Sequence, residues 1–259
     1  MINAKAVQCY KKQVNPKIRL FCFPYAGGNA SYYADWTKNF ESSIEVCAVQ
    51  LSGHGNRMEE ALVTDMQTII DDLYENIKEY LDIPFAFFGH SMGGILSYLI
   101  SLKIEKETGN TPVAVFESGI VPPDYLNQQD DFHSISDERF IDKLREYGAT
   151  SEEVLSYPEF YESFLPIIKS DFELLHSYHF DGYKKLKCPI ILFAGKDDKF
   201  NISNLKEKWT NFTDYDVSFY EYEGTHFFIN NYKNDIIEKI NNYIISEISY
   251  DKELIASGE

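Results

Sequence analysis

The chain alternates short apolar runs with longer amphipathic stretches, a pattern typical of strands that are each followed by a helix. Near-continuous apolar or aromatic runs predict buried strands, and apolar residues at three- and four-residue spacing predict helices with one face on the core. This alternation predicts an α/β fold with a mostly parallel central sheet and helices on both faces. The predicted strands are residues 18–23, 44–51, 84–88, 112–116, 189–194 and 217–222, and the predicted helices are residues 29–40, 66–81, a helix starting at Met92, and 236–248.

One long segment breaks the alternation. Between about residues 121 and 183 the chain has helical patterns, at 137–147, 151–155 and 158–178, and no strand pattern. We interpret this aromatic-rich segment as a helical lid over the carboxyl edge of the sheet, where open α/β sheets bind ligands. The lid would be an insertion in a single domain spanning residues 1–259. The alternative is a packing subdomain without a ligand, because aromatic residues most often belong to a core.

The charge balance narrows the choice of partners. The chain has 41 acidic against 24 basic residues and a formal net charge of −17, which argues against nucleic acid or an anionic membrane as a partner. The first 17 residues are polar and lack the apolar centre of a signal peptide, and no run of about 20 apolar residues predicts a spanning helix. We therefore expect a cytoplasmic protein with no membrane partner, and a monomer.

The cysteines have no C-x-x-C or metal-like spacing. Cys22 and Cys47 lie inside apolar strand-like runs, where a reduced cysteine behaves as a small hydrophobic residue. We expect all of them to be reduced thiols in a reducing compartment. The four cysteines are Cys9, Cys22, Cys47 and Cys188.

Residues 89–93 read Gly-His-Ser-Met-Gly, at the junction between a predicted strand and a predicted helix. The glycines allow a tight turn in which the strained backbone of Ser91 pushes its hydroxyl out of the sheet edge. The N–H groups of a helix starting at Met92 would stabilise negative charge developing beside that hydroxyl. The pattern predicts that Ser91 is a nucleophile. The alternative, a serine that only caps the helix, does not explain two flanking glycines or the third, Gly94.

A serine nucleophile needs a base, and the expected base is His226 in the loop after the last predicted strand. His90 is adjacent to Ser91 and cannot fold back onto it, and His54 lies upstream in a glycine-rich loop. The other histidines, His133, His176 and His179, lie in the predicted lid.

The orienting acid should lie in the loop after the preceding strand, which ends in Asp197 and Asp198. A spacing of three residues from Gly195 favours Asp198, which would fix the tautomer of the histidine and stabilise its charged form. Asp197 stays open as the alternative.

The remaining requirement is an oxyanion hole of two backbone N–H groups. Met92, which follows the nucleophile, would supply one, and Ala26 in the glycine-containing loop of residues 24–28 would supply the other. The alternative for this loop is a plain strand-to-helix turn, in which glycines need no catalytic reason.

Four motifs, in this order, resemble those of type II (editing) thioesterases of nonribosomal peptide and polyketide synthase systems. They are residues 23–28, 53–57, 89–93 and 224–228, and parts of the segment from 138 to 172 resemble the lid of that family. The resemblance covers about residues 18–243. The sequence departs from the family at two positions. Ser52 stands where the family has proline, and Thr225 stands where the family has a glycine before the histidine. Both departures leave every reacting group in place and bear on the fit of the substrate.

The resemblance implies an α/β-hydrolase fold and hydrolysis of acyl groups from the phosphopantetheine arm of acyl or peptidyl carrier proteins. It implies Ser91 as nucleophile, His226 as base and Asp198 as its partner, with no metal or nucleotide cofactor. Rival interpretations are a chain-terminating fatty acyl thioesterase, a small-molecule carboxylesterase, and a ligand-binding protein that has lost turnover.

Docking of an acidic carrier domain would call for local positive charge on this acidic chain. The run containing Lys184, Lys185 and Lys187 is a candidate. The alternative is an ordinary solvated lysine run before a strand.

Overall fold

Within the part of the chain that this computed structural model describes, residues 5–128, 135–148, 155, 157 and 160–257, seven strands form one sheet. Their order across the sheet is β1-β3-β2-β4-β5-β6-β7, with β1 antiparallel to its neighbour and all other neighbours parallel. The strands are β1 (Val7–Gln8), β2 (Ile18–Phe23), β3 (Ile44–Val49), β4 (Phe85–His90), β5 (Val115–Ser118), β6 (Ile190–Gly195) and β7 (Val217–Tyr222).

Helices cover both faces of the sheet. One apolar cluster joins α1 (Met66–Ile77), α2 (Met92–Thr108) and α5 (Leu205–Trp209) to one face, and a second joins the last helix and two short 3₁₀ turns to the other. The predicted α/β architecture is therefore confirmed. The α-helices are α1 (Met66–Ile77), α2 (Met92–Thr108), α3 (Asp137–Tyr147), α4 (Leu165–Ser177), α5 (Leu205–Trp209), α6 (Phe228–Asn231) and α7 (Lys233–Ser257).

The strand order creates a crevice between β2 and β4. From β2 the chain moves to β3 on one side and then returns to β4 on the other side, so β2 and β4 are neighbours with Phe23 opposite Gly89. The loops that leave the carboxyl ends of these two strands diverge, and this is where open α/β sheets bind ligands. The predicted loop 24–28 and the predicted elbow 89–93 flank this crevice.

The predicted helix over residues 29–40 is wrong. The structure has two 3₁₀ turns there, Ala30–Tyr33 and Trp36–Lys38. Tyr33 and Trp36 are three residues apart and both buried, and a spacing of three suits a 3₁₀ turn as well as an α-helix. The predicted strand over 112–116 is shifted, because β5 runs on to Ser118, which pairs with His90.

The expectation of four reduced cysteines is wrong for two of them. The short strand β1, which the polar N-terminal sequence did not predict, pairs antiparallel with β3. This pairing brings Cys9 opposite Cys47, with Cα atoms 4.3 Å apart, and the two form a disulfide. Cys22 and Cys188 are free and buried, as expected. Because disulfides are uncommon in a reducing cytosol, the cytoplasmic location stays a prediction.

Helices α3 and α4 lie between β5 and β6, in the segment predicted to be the lid. The predicted helix over 137–147 is confirmed, and that over 158–178 is described from a π-helical turn at Phe160–Phe164 onward into α4. Most of the predicted helix over 151–155 lies outside the described residues. A separate apolar cluster joins α3 to the start of α4, and we call it the cap cluster: Phe140, Ile141, Leu144, Leu155, Phe160 and Leu165.

Among the described residues, no helix combines the length and the apolar character needed to cross a lipid bilayer.

Candidate active site

The elbow between β4 and α2 has the strained geometry that the sequence predicts. Ser91 has φ 55° and ψ −122°, one of two non-glycine residues with positive φ in the described part of the chain. A Cβ atom on Gly89 would lie 2.5 Å from the amide nitrogen of Gly94, and one on Gly93 would collide with the carbonyl of Phe23. The turn therefore has room only for glycine on either side of Ser91.

The third glycine, Gly94, makes room for a buried acid that sequence reasoning missed. A Cβ on Gly94 would lie 2.6 Å from Oε2 of Glu117, whose side chain is 1% exposed. Ser97 Oγ donates to Oε1 at 2.9 Å, and Oε2 has no hydrogen-bond partner among the described residues. Burial raises the pKa of Glu117 well above its usual range, because the charged carboxylate would lose its hydration there.

This buried acid makes stability depend on pH. The unfolded chain releases the Glu117 proton above about pH 4.5, whereas the folded protein keeps it up to its own, higher pKa. The free energy of unfolding therefore falls as pH rises between these two values, by up to about 1.4 kcal/mol per pH unit. We expect Glu117→Gln, which carries no proton to lose, to gain stability relative to the wild type as pH rises above about 4.5. Denaturant unfolding at several pH values measures this difference. The exposed Glu223→Gln is the control, and a Glu117→Gln difference that stayed constant with pH would contradict the raised pKa.

The structure brings His226 and Asp198 together. Nδ1 of His226 lies 2.8 Å from Oδ2 of Asp198, and the two residues are 4% and 6% exposed. The other carboxylate oxygen accepts the N–H of Phe200 at 3.1 Å, so the carboxylate is held at both ends. Asp197, the alternative left open by the sequence, is exposed. Its backbone N–H bonds the carbonyl of Gly224 at 3.0 Å.

The imidazole of His226 also lies beside the elbow. Its ring centroid is 5.0 Å from that of His90, the residue before Ser91. A Cβ on Gly119 would lie 3.3 Å from Cε1 of His226. Because Nδ1 faces Asp198, a proton exchanged between His226 and a substrate or nucleophile would pass through Nε2.

His90 does not compete for this role. It is fully buried, with Nδ1 2.9 Å from Oγ of Ser118. Burial, together with the nearby charge of a protonated His226, holds the pKa of His90 well below its usual range. A neutral ring therefore lies beside His226.

The predicted oxyanion residues lie at the adjoining ends of β2 and β4. Met92 is buried and begins α2, whose Gly93 approaches the carbonyls of Phe23 and Pro24 at the start of the loop. Ala26 lies half-buried in the same loop. The loop and the first turn of α2 are thus in direct contact, which is the arrangement needed for two convergent N–H groups.

The segment containing α3 and α4 reaches both sides of this site. A Cβ on Gly148, at the end of α3, would lie 4.0 Å from Oγ1 of Thr225, and one on Gly27 would lie 2.6 Å from Cγ1 of Ile168 in α4. The end of α3 thus lies near the loop of His226, and Ile168 packs against the loop of Ala26.

The other histidines considered in the sequence analysis are His54, His133, His176 and His179. His54 is buried and paired with Asp171 of α4, a pairing with no sequence signal because 117 residues separate the two. His133 lies outside the described residues, while His176 and His179 lie at and just beyond the end of α4.

The three lysines proposed for docking are each paired with an acid, and so do not form an unpaired basic patch. The pairs are Lys184–Asp181, Lys185–Asp214 and Lys187–Glu105.

One group of potential metal ligands exists among the described residues, at the opposite, amino end of the sheet from the elbow. It consists of Cys9, Glu45 and Cys47. The two sulfur atoms are joined as a disulfide and Glu45 forms an ion pair with Arg19 at 2.8 Å, so this donor set is already occupied.

A parallel sheet with a strained serine at its central elbow, and a histidine–carboxylate pair in loops at the same edge, defines an α/β-hydrolase. The family model described as "Thioesterase domain" matches residues 18–244. The chain therefore belongs to the thioesterase family and is a hydrolase acting on thioester bonds.

Curated relatives match along most of their length. The chain is 38% identical over 222 residues to the gramicidin S biosynthesis protein GrsT of Aneurinibacillus migulanus, covering 86% of this chain and 87% of that protein. It is 31% identical over 223 residues to the medium-chain S-acyl fatty acid synthase thioesterase of Anas platyrhynchos, covering 84% and 88%.

Solved structures agree with the fold. ClbQ from the colibactin NRPS/PKS pathway superposes with a TM-score of 0.84 at 31% identity, covering 90% of this chain and 99% of that chain. BorB, the type II thioesterase from the borrelidin biosynthetic cluster, also gives a TM-score of 0.84, at 26% identity with 94% and 99% covered.

Proposed function

We propose that this thioesterase is an editing enzyme that removes acyl groups from the phosphopantetheine arm of acyl or peptidyl carrier proteins in nonribosomal peptide or polyketide synthesis. The observation that carries the proposal is the hydrogen bond between His226 and Asp198 beside the Ser91 elbow. The names of GrsT and ClbQ point to carrier-based biosynthesis as the setting.

The proposed reaction has two halves. Oγ of Ser91 attacks the thioester carbonyl and gives its proton to Nε2 of His226, while the N–H groups of Met92 and Ala26 bind the oxyanion. His226 then protonates the leaving phosphopantetheine thiol, and Asp198 stabilises the charged imidazole. In the second half, His226 activates water to cleave the acyl-serine, and Ser91 recovers its proton. No step in this sequence calls for a metal or nucleotide cofactor.

We propose that the segment between β5 and β6 is the lid over this chemistry. Its packing against Gly27 and the position of Gly148 near Thr225 support a cover that extends over both sides of the crevice. The arm of a carrier is long and thin, so it needs only a narrow passage under such a cover.

A panel of acylated carrier proteins tests the proposed function. We expect mass spectrometry to show loss of acetyl and other short acyl groups from peptidyl and acyl carrier proteins after the enzyme is added, and no loss with Ser91→Ala. Release confined to medium or long fatty chains would instead support the second candidate, a fatty acyl thioesterase, which the relative from Anas platyrhynchos favours. Hydrolysis of a free p-nitrophenyl ester alone, with every carrier left loaded, would contradict both.

A further inference from the structure

A second histidine–carboxylate pair lies beside the candidate site. His54, in the loop after β3, and Asp171, in α4, are 4% and 1% exposed. Nε2 of His54 lies 3.0 Å from Oδ2 of Asp171, and Nδ1 lies 2.9 Å from the carbonyl oxygen of Ser52. Neither residue belongs to the proposed triad.

The geometry fixes the charge of this pair. Both ring nitrogens of His54 face oxygen atoms that accept hydrogen bonds, so both must carry a proton, and the ring is an imidazolium. Burial alone would lower the pKa of His54, but the hydrogen bond and charge of Asp171, with the Ser52 carbonyl, outweigh burial and raise it. The pair is therefore a buried ion pair, in which each charge holds the other in place.

The same carboxylate oxygen reaches the loop of Ala26. Oδ2 of Asp171 accepts the N–H of Gly27 at 2.6 Å. Gly27 is the third residue of a turn closed by a 2.8 Å bond from Gly28 N–H to the carbonyl of Tyr25. Its φ of +75°, after a residue with negative φ, is the geometry of a type II turn. The peptide between Ala26 and Gly27 is the central peptide of that turn. The hydrogen bond from its N–H to Asp171 therefore fixes the orientation of this peptide plane. The Ala26 N–H belongs to the adjoining peptide.

An apolar contact supports the same junction. Ile168 lies three residues before Asp171 on α4, so both point from one face of the helix, and its Cγ1 packs where a Cβ of Gly27 would be. Helix α4 therefore holds the turn both by packing and by a charge-assisted hydrogen bond.

We propose that Asp171, with its charge held by His54, is a positioning residue that sets the orientation of the oxyanion loop. This inference rests on the proposed function, because it assumes that Ala26 N–H binds the oxyanion. In this arrangement α4 is part of the catalytic machinery as well as part of the cover, and Asp171 acts without touching the substrate.

The test compares Asp171→Ala with Glu45→Ala. Both remove a buried carboxylate that forms an ion pair, but Glu45 pairs with Arg19 at the far end of the sheet. Loss of one oxyanion donor lowers kcat by about 10²–10³-fold, and a donor that is only misoriented should cost roughly 10–10²-fold. We expect Asp171→Ala to lower kcat by that amount with KM nearly unchanged, and Glu45→Ala to leave kcat unchanged.

Two further measurements separate positioning from loss of structure. The affinity for a boronic acid, which forms a tetrahedral adduct with the serine, should fall in parallel with kcat/KM in Asp171→Ala. The double variant His54→Ala/Asp171→Ala should be no slower than Asp171→Ala, because His54 acts only through Asp171. If Asp171→Ala unfolds under assay conditions, Asp171→Asn, which keeps one oxygen acceptor for Gly27, should fold and show an intermediate kcat.

These measurements distinguish failure of the positioning role of Asp171 from failure of the proposed function. An Asp171→Ala enzyme with wild-type kcat, or with a change confined to KM, would overturn the positioning role and leave the proposed function intact. A wild-type protein that neither deacylates carriers nor reacts with a fluorophosphonate at Ser91 would overturn the proposed function and this inference with it.

Discussion

Replacing Ser91 by alanine should lower kcat for deacylation of a carrier protein by on the order of 10⁵- to 10⁶-fold, because no other side chain can take over the covalent step. The fold should be unaffected, since alanine and serine have nearly the same backbone preferences. Discontinuous mass-spectrometric assays measure the rate, and a fluorophosphonate probe that labels the wild type should leave no adduct on the variant. A residual rate within tenfold of the wild type would show that the serine is not the nucleophile.

Replacing Ser91 by glycine separates the loss of activity from the effect of backbone strain on stability. At φ 55° and ψ −122° any L-residue is strained, whereas glycine adopts positive φ readily. We therefore expect Ser91→Gly to be as inactive as Ser91→Ala but more stable than it by about 1 kcal/mol. Denaturant unfolding of the two inactive variants measures this directly, and equal stabilities would contradict the strain.

Replacing Asp198 by asparagine should lower kcat by roughly 10⁴-fold. The carboxylate accepts a hydrogen bond from the Nδ1–H of His226 at 2.8 Å, so in the neutral ring the proton stays on Nδ1 and Nε2 can accept one. An amide at this position donates to Nδ1 and places the proton on Nε2, which is the wrong tautomer for a base. Steady-state rates on an acyl carrier protein measure the loss.

The neighbouring residue offers a matched control. Asp197→Asn makes the same chemical change one residue away, on an exposed side chain, and should change kcat by less than about twofold. If the large loss followed Asp197 instead, the hydrogen bond to Asp198 would have no catalytic meaning.

The parts of the site that the sequence predicts are those fixed by local pattern. The elbow follows from a strand, two glycines and a helix within a dozen residues, and His226 and Asp198 follow from their places just after predicted strands. Because parallel strands end at one edge, these loops meet without further information. The spacing from Gly195 favours Asp198 over Asp197, and the structure places Asp198 in hydrogen-bond contact with His226.

The parts that the sequence does not predict depend on pairings between distant segments. Nothing local indicates that His54 meets Asp171, or that Cys9 meets Cys47 once β1 joins the edge of the sheet. Glu117 does have a local signal, because it is a lone acid at the end of an apolar strand. The 3₁₀ turns after β2 have none, because aromatic spacing alone does not distinguish a 3₁₀ turn from an α-helix.

The cap cluster has a consequence for how such enzymes diversify. Its six apolar residues form a cluster distinct from the two that hold the sheet. Helix α4 connects them, because Phe172 packs against both the cap cluster and the sheet cluster. A volume change in the cap cluster that leaves α4 in place need not be transmitted to the sheet. If this segment is the lid proposed above, substitutions in the cap cluster that do not displace α4 would alter the cover and leave the Ser91 elbow and the His226–Asp198 pair as they are.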